Sequence, residues 1–193
     1  MPRQDINNYK QPIYSNIMAV DFHFIPVEDR KTLDKLISFL RPQGLDYQNW
    51  EVWIEKAFYE ILAGYKQSII VESNGAVIGN VISQLHKELG WIYEGKNLRV
   101  LKGFRDSGCA TFLEKQVEKR ARKHGAKAVI WDYRSEKKWI GNFFIRRGYA
   151  PILENWPLYD NNHPDTIMIK NLNKKSNAGI IQTMGEFFLG RAV

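Results

Sequence analysis

At 193 residues, 44% of them apolar, the chain has the size of one ordinary domain and the means to bury a core without staples. Its only cysteine, Cys109, rules out an internal disulfide framework. No run of about 18 apolar residues occurs and residues 1–15 are polar, so neither a membrane span nor a signal peptide is expected and the protein reads as cytoplasmic. His23, His86, His124 and His163 lie far apart, with no spacing that suits a metal or a thiol–imidazole dyad with Cys109.

A polar N-terminal segment (1–16) precedes a domain expected over 17–172, and an amphipathic extension follows it (173–193). Residues 17–25 predict a strand stopped by Pro26. Glu28 and Asp29 then open a helix whose Leu33, Leu36, Ile37 and Leu40 recur at helical spacing until Pro42. A second helix is expected over 50–63, with Trp53, Ala57, Phe58 and Ile61 on one side. Strands at 68–72 and 76–85 flank Asn74-Gly75, a dipeptide suited to the positive φ of a tight hairpin turn. A longer strand is expected over 91–101, then a helix with Ala110, Leu113, Val117 and Ala121 on one face that ends at His124, closed by Gly125. A strand at 128–131, a helix at 136–147 and a strand at 166–172 complete a mixed α/β layered domain with strand-helix-strand crossovers in its second half. In the extension, Ile180, Ile181, Met184, Phe187 and Phe188 form an apolar stripe, able to dock on its own domain or to pair two copies as a homodimer.

The segment Arg105-Asp106-Ser107-Gly108-Cys109-Ala110 joins the long strand to the amphipathic helix. A helix start leaves backbone N–H groups without intrahelical partners and carries partial positive charge, and Gly108 lets a ligand approach the backbone. An ordinary capped helix, with Asp106 or Ser107 as N-cap, shows the same pattern. Charge adds context: residues 96–147 hold 15 Lys and Arg against 5 Asp and Glu, an excess of 10, while the remainder holds 13 against 16. Part of that excess is Lys119, Arg120, Arg122 and Lys123, which complement a helix C-terminus. The rest suits a polyanionic ligand, either nucleic acid or a multiply phosphorylated small molecule.

Four features in order carry a resemblance: the strand end Leu98-Arg99-Val100, the loop with Arg105, Gly108 and Ala110, the strand-helix unit from 128 to 147, and the closing Gly148-Tyr149. Over about 17–172 the chain resembles the GNAT superfamily of acyl-CoA-dependent N-acetyltransferases. The resemblance implies a mixed, mostly antiparallel central sheet flanked by helices, with the C-terminal helical extension added. It also implies acetyl-CoA as co-substrate, no metal, and direct attack by a primary amine in a ternary complex. The strand through Val100 would splay from its neighbour and offer backbone at Leu98, Arg99 and Val100 to the pantetheine arm, which pairs like an added strand. The amides of Arg105, Asp106, Ser107, Gly108, Cys109 and Ala110 would hold the pyrophosphate, and Lys137 and Phe144 would complete the cofactor site.

An attacking amine must be neutral, so a proton acceptor is required. Glu94, six residues before Val100 on the same strand, is the candidate base. Phe144 stands where the family commonly has the tyrosine that protonates the leaving thiolate, leaving Tyr149, Tyr133 or water as the acid, with Tyr149 the first candidate. Lys137 stands at a frequent asparagine and Lys102 at a frequent proline. The acceptor would lie against the first two helices and the connection 156–164, where Asp46, Glu51 and Glu55 would attract a cationic amine. Two other readings stay open: a non-catalytic acyl-CoA-binding regulator, and a nucleic-acid module stacking bases on Trp131, Tyr133 and Trp139. Against the latter, those aromatics fall on expected core faces and no nucleic-acid motif occurs.

Overall fold

The computed structural model describes residues 21–44, 49–158, 162–173 and 177–189. The N-terminal segment 1–16, residues 17–20 of the first expected strand, Asp46 and residues 190–193 lie outside the described residues. The elements run β1 (His23–Pro26), α1 (Arg30–Leu40), α2 (Trp50–Leu62), β2 (Gln67–Ser73), β3 (Ala76–Leu85), β4 (Ile92–Val100), α3 (Cys109–Lys123), β5 (Ala128–Arg134), α4 (Lys138–Ile145), β6 (Ala150–Trp156), β7 (Asp165–Asn171) and α5 (Ala178–Leu189). Seven strands form one sheet in the order β1-β2-β3-β4-β5-β7-β6. Every pairing is antiparallel except β4 with β5, which α3 connects as a parallel crossover.

Three expectations on element ends are corrected. Helix α1 starts at Arg30 because Asp29 is its N-cap: the Asp29 carboxylate accepts from the Thr32 amide and the Thr32 side chain reaches back, a capping box that leaves Glu28 outside the helix. Helix α4 starts at Lys138, two residues later than expected at 136. Pro26 is the last residue of β1 rather than the residue after it, which an edge strand tolerates because one side of its backbone pairs with no strand among the described residues. The sequence reading also passed over β6. Its register with β7 shifts twice, between Pro151 and Leu153 and between Leu153 and Trp156, and Asn155 takes a left-handed φ of 55°. Those irregularities break the alternation by which a strand is recognised.

Side chains on the two faces of the sheet enter different cores. On one face, Ile69, Val71, Val81, Tyr93, Val129, Trp131 and Met168 pack with Leu113, Val117 and Ala121 of α3 and Phe144 of α4. On the other, Ile70 and Ile82 pack with Leu33, Leu36 and Leu40 of α1 and Ile54 and Ile61 of α2. Further along that second face, Met184 of α5 is buried against Ile92, Ala128, Ile130 and Ile169, with Ile180, Ile181, Phe187 and Phe188 around it. The apolar stripe of the extension thus docks on its own sheet. Burying a side chain of this size contributes roughly 1.5–3 kcal/mol, so the α3 stripe alone fixes that helix, and with it the loop ahead of it, to the sheet.

Candidate active site between the parted strands

Strands β4 and β5 pair over four residues only, from Ile92 with Ala128 to Gly95 with Trp131. Beyond that point β4 runs on to Val100 and β5 to Arg134 without pairing to each other. Two features set the parting there. Trp131 fills the space under Gly95, where a Cβ would sit 2.3 Å from the indole. Asn97 takes a left-handed φ of 49°, and the β3–β4 register slips by one residue between Asn80 with Arg99 and Ile82 with Lys96, which is a bulge in β4. Past the bulge, the Leu101 amide donates to the Ile78 carbonyl of β3. Backbone direction alternates along a strand, so Arg99 faces β3 with its backbone while Leu98 and Val100 turn theirs toward the opening. Leu98 and Val100 also pack half-buried against the α3 core. The Arg99 guanidinium donates to the Gln43 carbonyl at 2.7 Å and lies 4.8 Å over the Trp50 ring, on the α1–α2 side.

The opening leads to the start of α3. A single 3-10 turn, Lys102–Phe104, follows β4, and then Asp106 and Gly108 adopt φ values of 62° and 89°. The N-cap is Gly108, with no side-chain cap, which corrects the alternative that Asp106 or Ser107 caps the helix. Ser107 instead donates its hydroxyl to the Phe104 carbonyl at 2.7 Å. A Cβ on Gly108 would meet nothing within 4 Å. The Cys109 amide donates to Ser107 Oγ at 3.4 Å, and no carboxylate stands in the first turn of α3, the arrangement that suits an anion. Arg105, Asp106 and Ser107 are exposed around this start and Ala110 is half-buried. The Arg105 guanidinium lies 4.9 Å over the ring of Trp139. Cys109 is buried in the core at 2% exposure, a small side chain beneath the loop rather than a nucleophile at its surface. Lys137 is half-buried just ahead of α4 and its amide donates to the Arg134 carbonyl.

On the α1–α2 side of the opening stands Glu94, 9% exposed. Gln84 Nε2 donates to it at 2.5 Å, His86 Nε2 lies at 3.6 Å and Lys96 Nζ at 3.7 Å. Lys96 also reaches Asp132 on β5 at 3.5 Å. A carboxylate, an ammonium and a second carboxylate thus bridge the two strands where they part. Gln84, His86 and Asp132 carried no expected role, because Gln84 and Asp132 come to the Glu94–Lys96 pair only through strand register.

Phe144 is 2% exposed, its ring 5.2 Å from Trp131 and 5.3 Å from Tyr149. Tyr149 donates its hydroxyl to Glu114 of α3 at 2.7 Å. Burial, with the Glu114 carboxyl beside it, pushes this phenol well above its usual value. Burial and a hydrogen bond with Glu118 raise Glu114, whereas Glu118 is held below the carboxylate range by hydrogen bonds from Glu114 and Lys170, which outweigh its own desolvation. The Tyr149 proton is thereby tied to α3 rather than presented to the opening.

On the acceptor side, Glu51 pairs with Arg41 at 3.3 Å and Glu55 is exposed on α2. A cavity of about 780 Å³ lies between α1 and the β2–β3 turn and takes no residue from β4, β5 or the loop. Of the three aromatics considered for base stacking, Trp131 is buried at 3% exposure and Tyr133 is half-buried, while Trp139 is exposed. Among the described residues no group of three or more His, Cys, Asp or Glu side chains converges as a metal site, and no helix is long and apolar enough to cross a membrane.

The fold recurs widely in solved structures. A GNAT-family protein from Desulfovibrio desulfuricans is 13% identical over 79% of this chain and 99% of its own, with a TM-score of 0.67. A GNAT-family acetyltransferase from Staphylococcus aureus is 15% identical over the same shares, with a TM-score of 0.64. A Bacillus anthracis protein described as a streptothricin acetyltransferase, solved in complex with acetyl coenzyme A, is 12% identical over 55% of this chain and 62% of its own, at a TM-score of 0.50. No curated protein matches the chain. At these identities the structures speak for the fold alone, and membership comes from the family model of GNAT acetyltransferases, which matches residues 32–149. That segment is well over half of the chain and runs from α1 through the parted strands and the α3 loop to Tyr149: the protein is an acyltransferase belonging to the GNAT family.

Proposed function

We propose that this protein transfers acetyl from acetyl-CoA to a primary amine by direct attack while both are bound. The observation that carries the reading is the continuity of the parted β4 edge with the uncapped start of α3. An amide-bearing arm finds a strand edge at Leu98 and Val100, and a pyrophosphate finds a helix start without a carboxylate cap in the loop from Arg105 to Ala110, so one extended anionic thioester fits both. Arg105 and Lys137 supply the cations beside those amides. Phe144 packs beneath the arm as an apolar floor.

Acetyl-CoA brings an activated acyl group; the chain's residues supply position and proton transfer. Glu94 accepts the proton of the attacking amine, directly or through water, from the α1–α2 side of the opening. Gln84 orients that carboxylate, and the Lys96–Asp132 bridge holds the two strands at a fixed separation. The α3–α4 side takes the arm and the departing sulfur, so amine and leaving group sit on opposite sides of the sheet. Tyr149 serves the packing of α3 rather than the proton transfer, because its hydroxyl is engaged with Glu114.

The test is amine-dependent release of free CoA thiol over a panel of primary amines, run beside calorimetric binding of CoA. Release with one amine class and retention of CoA binding in Glu94→Gln support the proposal. Binding without turnover on any amine would favour a non-catalytic acyl-CoA regulator, and absence of binding removes both readings.

A further inference from the structure

A departing thiolate, the conjugate base of a weakly acidic thiol, leaves faster with a proton donor held beside it. Phe144 has no exchangeable proton, and of the two tyrosines considered for the role Tyr149 is tied to Glu114. The geometry points to Tyr133. Strand β5 carries it two residues past Trp131, the last residue paired to β4, so continuing that parallel register sets Tyr133 level with Asn97 and the bulged Leu98. Its side chain packs with the α3–α4 core, the side on which Trp131 and Leu98 also pack, and opposite to Glu94 and Asp132.

The position of its hydroxyl is set by α4. A Cβ on Gly141 would lie 2.3 Å from the Tyr133 oxygen, so the phenol rests directly on that glycine and any larger residue would displace it. Gly141 and Phe144 are both buried and one helical turn apart, on one face of α4. Side chains on a helix lean toward its N-terminus, so a ring at position 144 covers the turn that contains 141. The Tyr133 hydroxyl therefore occupies the region that a phenol at 144 would reach, arriving from the sheet instead of the helix.

Resting on the acetyl-transfer reading above, we propose that Tyr133 is the general acid. The amine nitrogen forms its bond to the acetyl carbon, and the carbon–sulfur bond breaks with its electron pair on sulfur. The amine proton passes to Glu94, and the Tyr133 hydroxyl proton passes to sulfur to give the CoA thiol. The phenolate is reprotonated from solvent, and the proton on Glu94 returns there, which closes the balance.

The test uses bound CoA, so it needs no acceptor: the thiolate absorbance of the complex is titrated in the full-length wild type, in Tyr133→Phe and in Tyr133→Phe combined with Phe144→Tyr. Losing one hydrogen bond to a charged group raises the bound thiol by about one to two pH units in Tyr133→Phe, with CoA affinity unchanged. Restoring a phenol from position 144 brings the titration back. With a competent amine, Tyr133→Phe lowers kcat about 100-fold. A thiol that titrates identically in wild type and Tyr133→Phe overturns the assignment and leaves the acetyl-transfer reading intact, whereas a wild type that binds no CoA overturns that reading first.

Discussion

Glutamine in place of Glu114 flattens the dependence of stability on pH between 4.5 and about 7. The Glu114 carboxyl is 1% exposed, and burial followed by its hydrogen bond with Glu118 lifts it from 4.5 to about 7. Over that window the folded protein keeps a proton that the unfolded chain has already lost. The stabilisation by the neutral form is complete below 4.5 and disappears as pH rises through about 7. At about 1.4 kcal/mol per unit, the shift amounts to about 3 kcal/mol. Glu118, whose pKa is depressed, contributes its own linkage below 4.5 and so outside the window. The glutamine amide keeps an acceptor for the Tyr149 hydroxyl and a donor for Glu118, so packing changes little while the titration is lost. Urea unfolding near pH 5 and near pH 8 measures the effect: the wild type loses roughly 2–3 kcal/mol more than Glu114→Gln on going to the higher pH. An identical loss in both proteins, or a larger one in the variant, refutes the reasoning.

Two further substitutions test the site. Glu94→Gln lowers kcat at least about 100-fold at unchanged acetyl-CoA affinity, checked by steady-state kinetics and calorimetry; wild-type turnover in this variant would remove Glu94 from the proton path. Gly95→Ala places a Cβ 2.3 Å from the buried Trp131 ring at the point where β4 and β5 part, at a cost of about 1–3 kcal/mol, read as a lowered urea midpoint; an unchanged midpoint would mean the indole moves freely.

Sequence periodicity found every helix and all strands but one, because those elements bury one continuous face: Leu113, Val117 and Ala121 of α3 are each fully buried. Strand β6 escaped because Pro151 and the left-handed Asn155 interrupt the two-residue alternation that marks a strand. In the candidate site, the loop from Arg105 to Ala110 was legible because its chemistry is local: a glycine and a helix start adjacent in sequence. The surroundings of Glu94 were not. Gln84 meets it through antiparallel register, and Asp132 meets its neighbour Lys96 across the parallel pair, and register is a property of pairing rather than of any one strand. The same holds for Tyr149, whose engagement with Glu114 depends on how α3 lies across the sheet, 35 residues earlier in the chain. The alternative of Asp106 or Ser107 as N-cap of α3 rested on residue type, whereas the positive φ of Gly108 sets the helix start beyond them.

The central claim is that the parted β4 edge and the bare start of α3 form one acetyl-CoA site, and thermal unfolding with acetyl-CoA tests it most directly. At a ligand concentration about 100 times Kd, binding to the folded state alone adds about 2.7 kcal/mol, which for a chain of this size raises Tm by about 5–10 °C. Gly108→Glu sets a carboxylate over the α3 amides, and its φ of 89° also strains the backbone, so the quantity to read is the shift produced by ligand rather than the absolute Tm. The account predicts a rise with acetyl-CoA or CoA in the wild type and none in Gly108→Glu. An unmoved wild-type Tm, or an equal rise in both proteins, would contradict it.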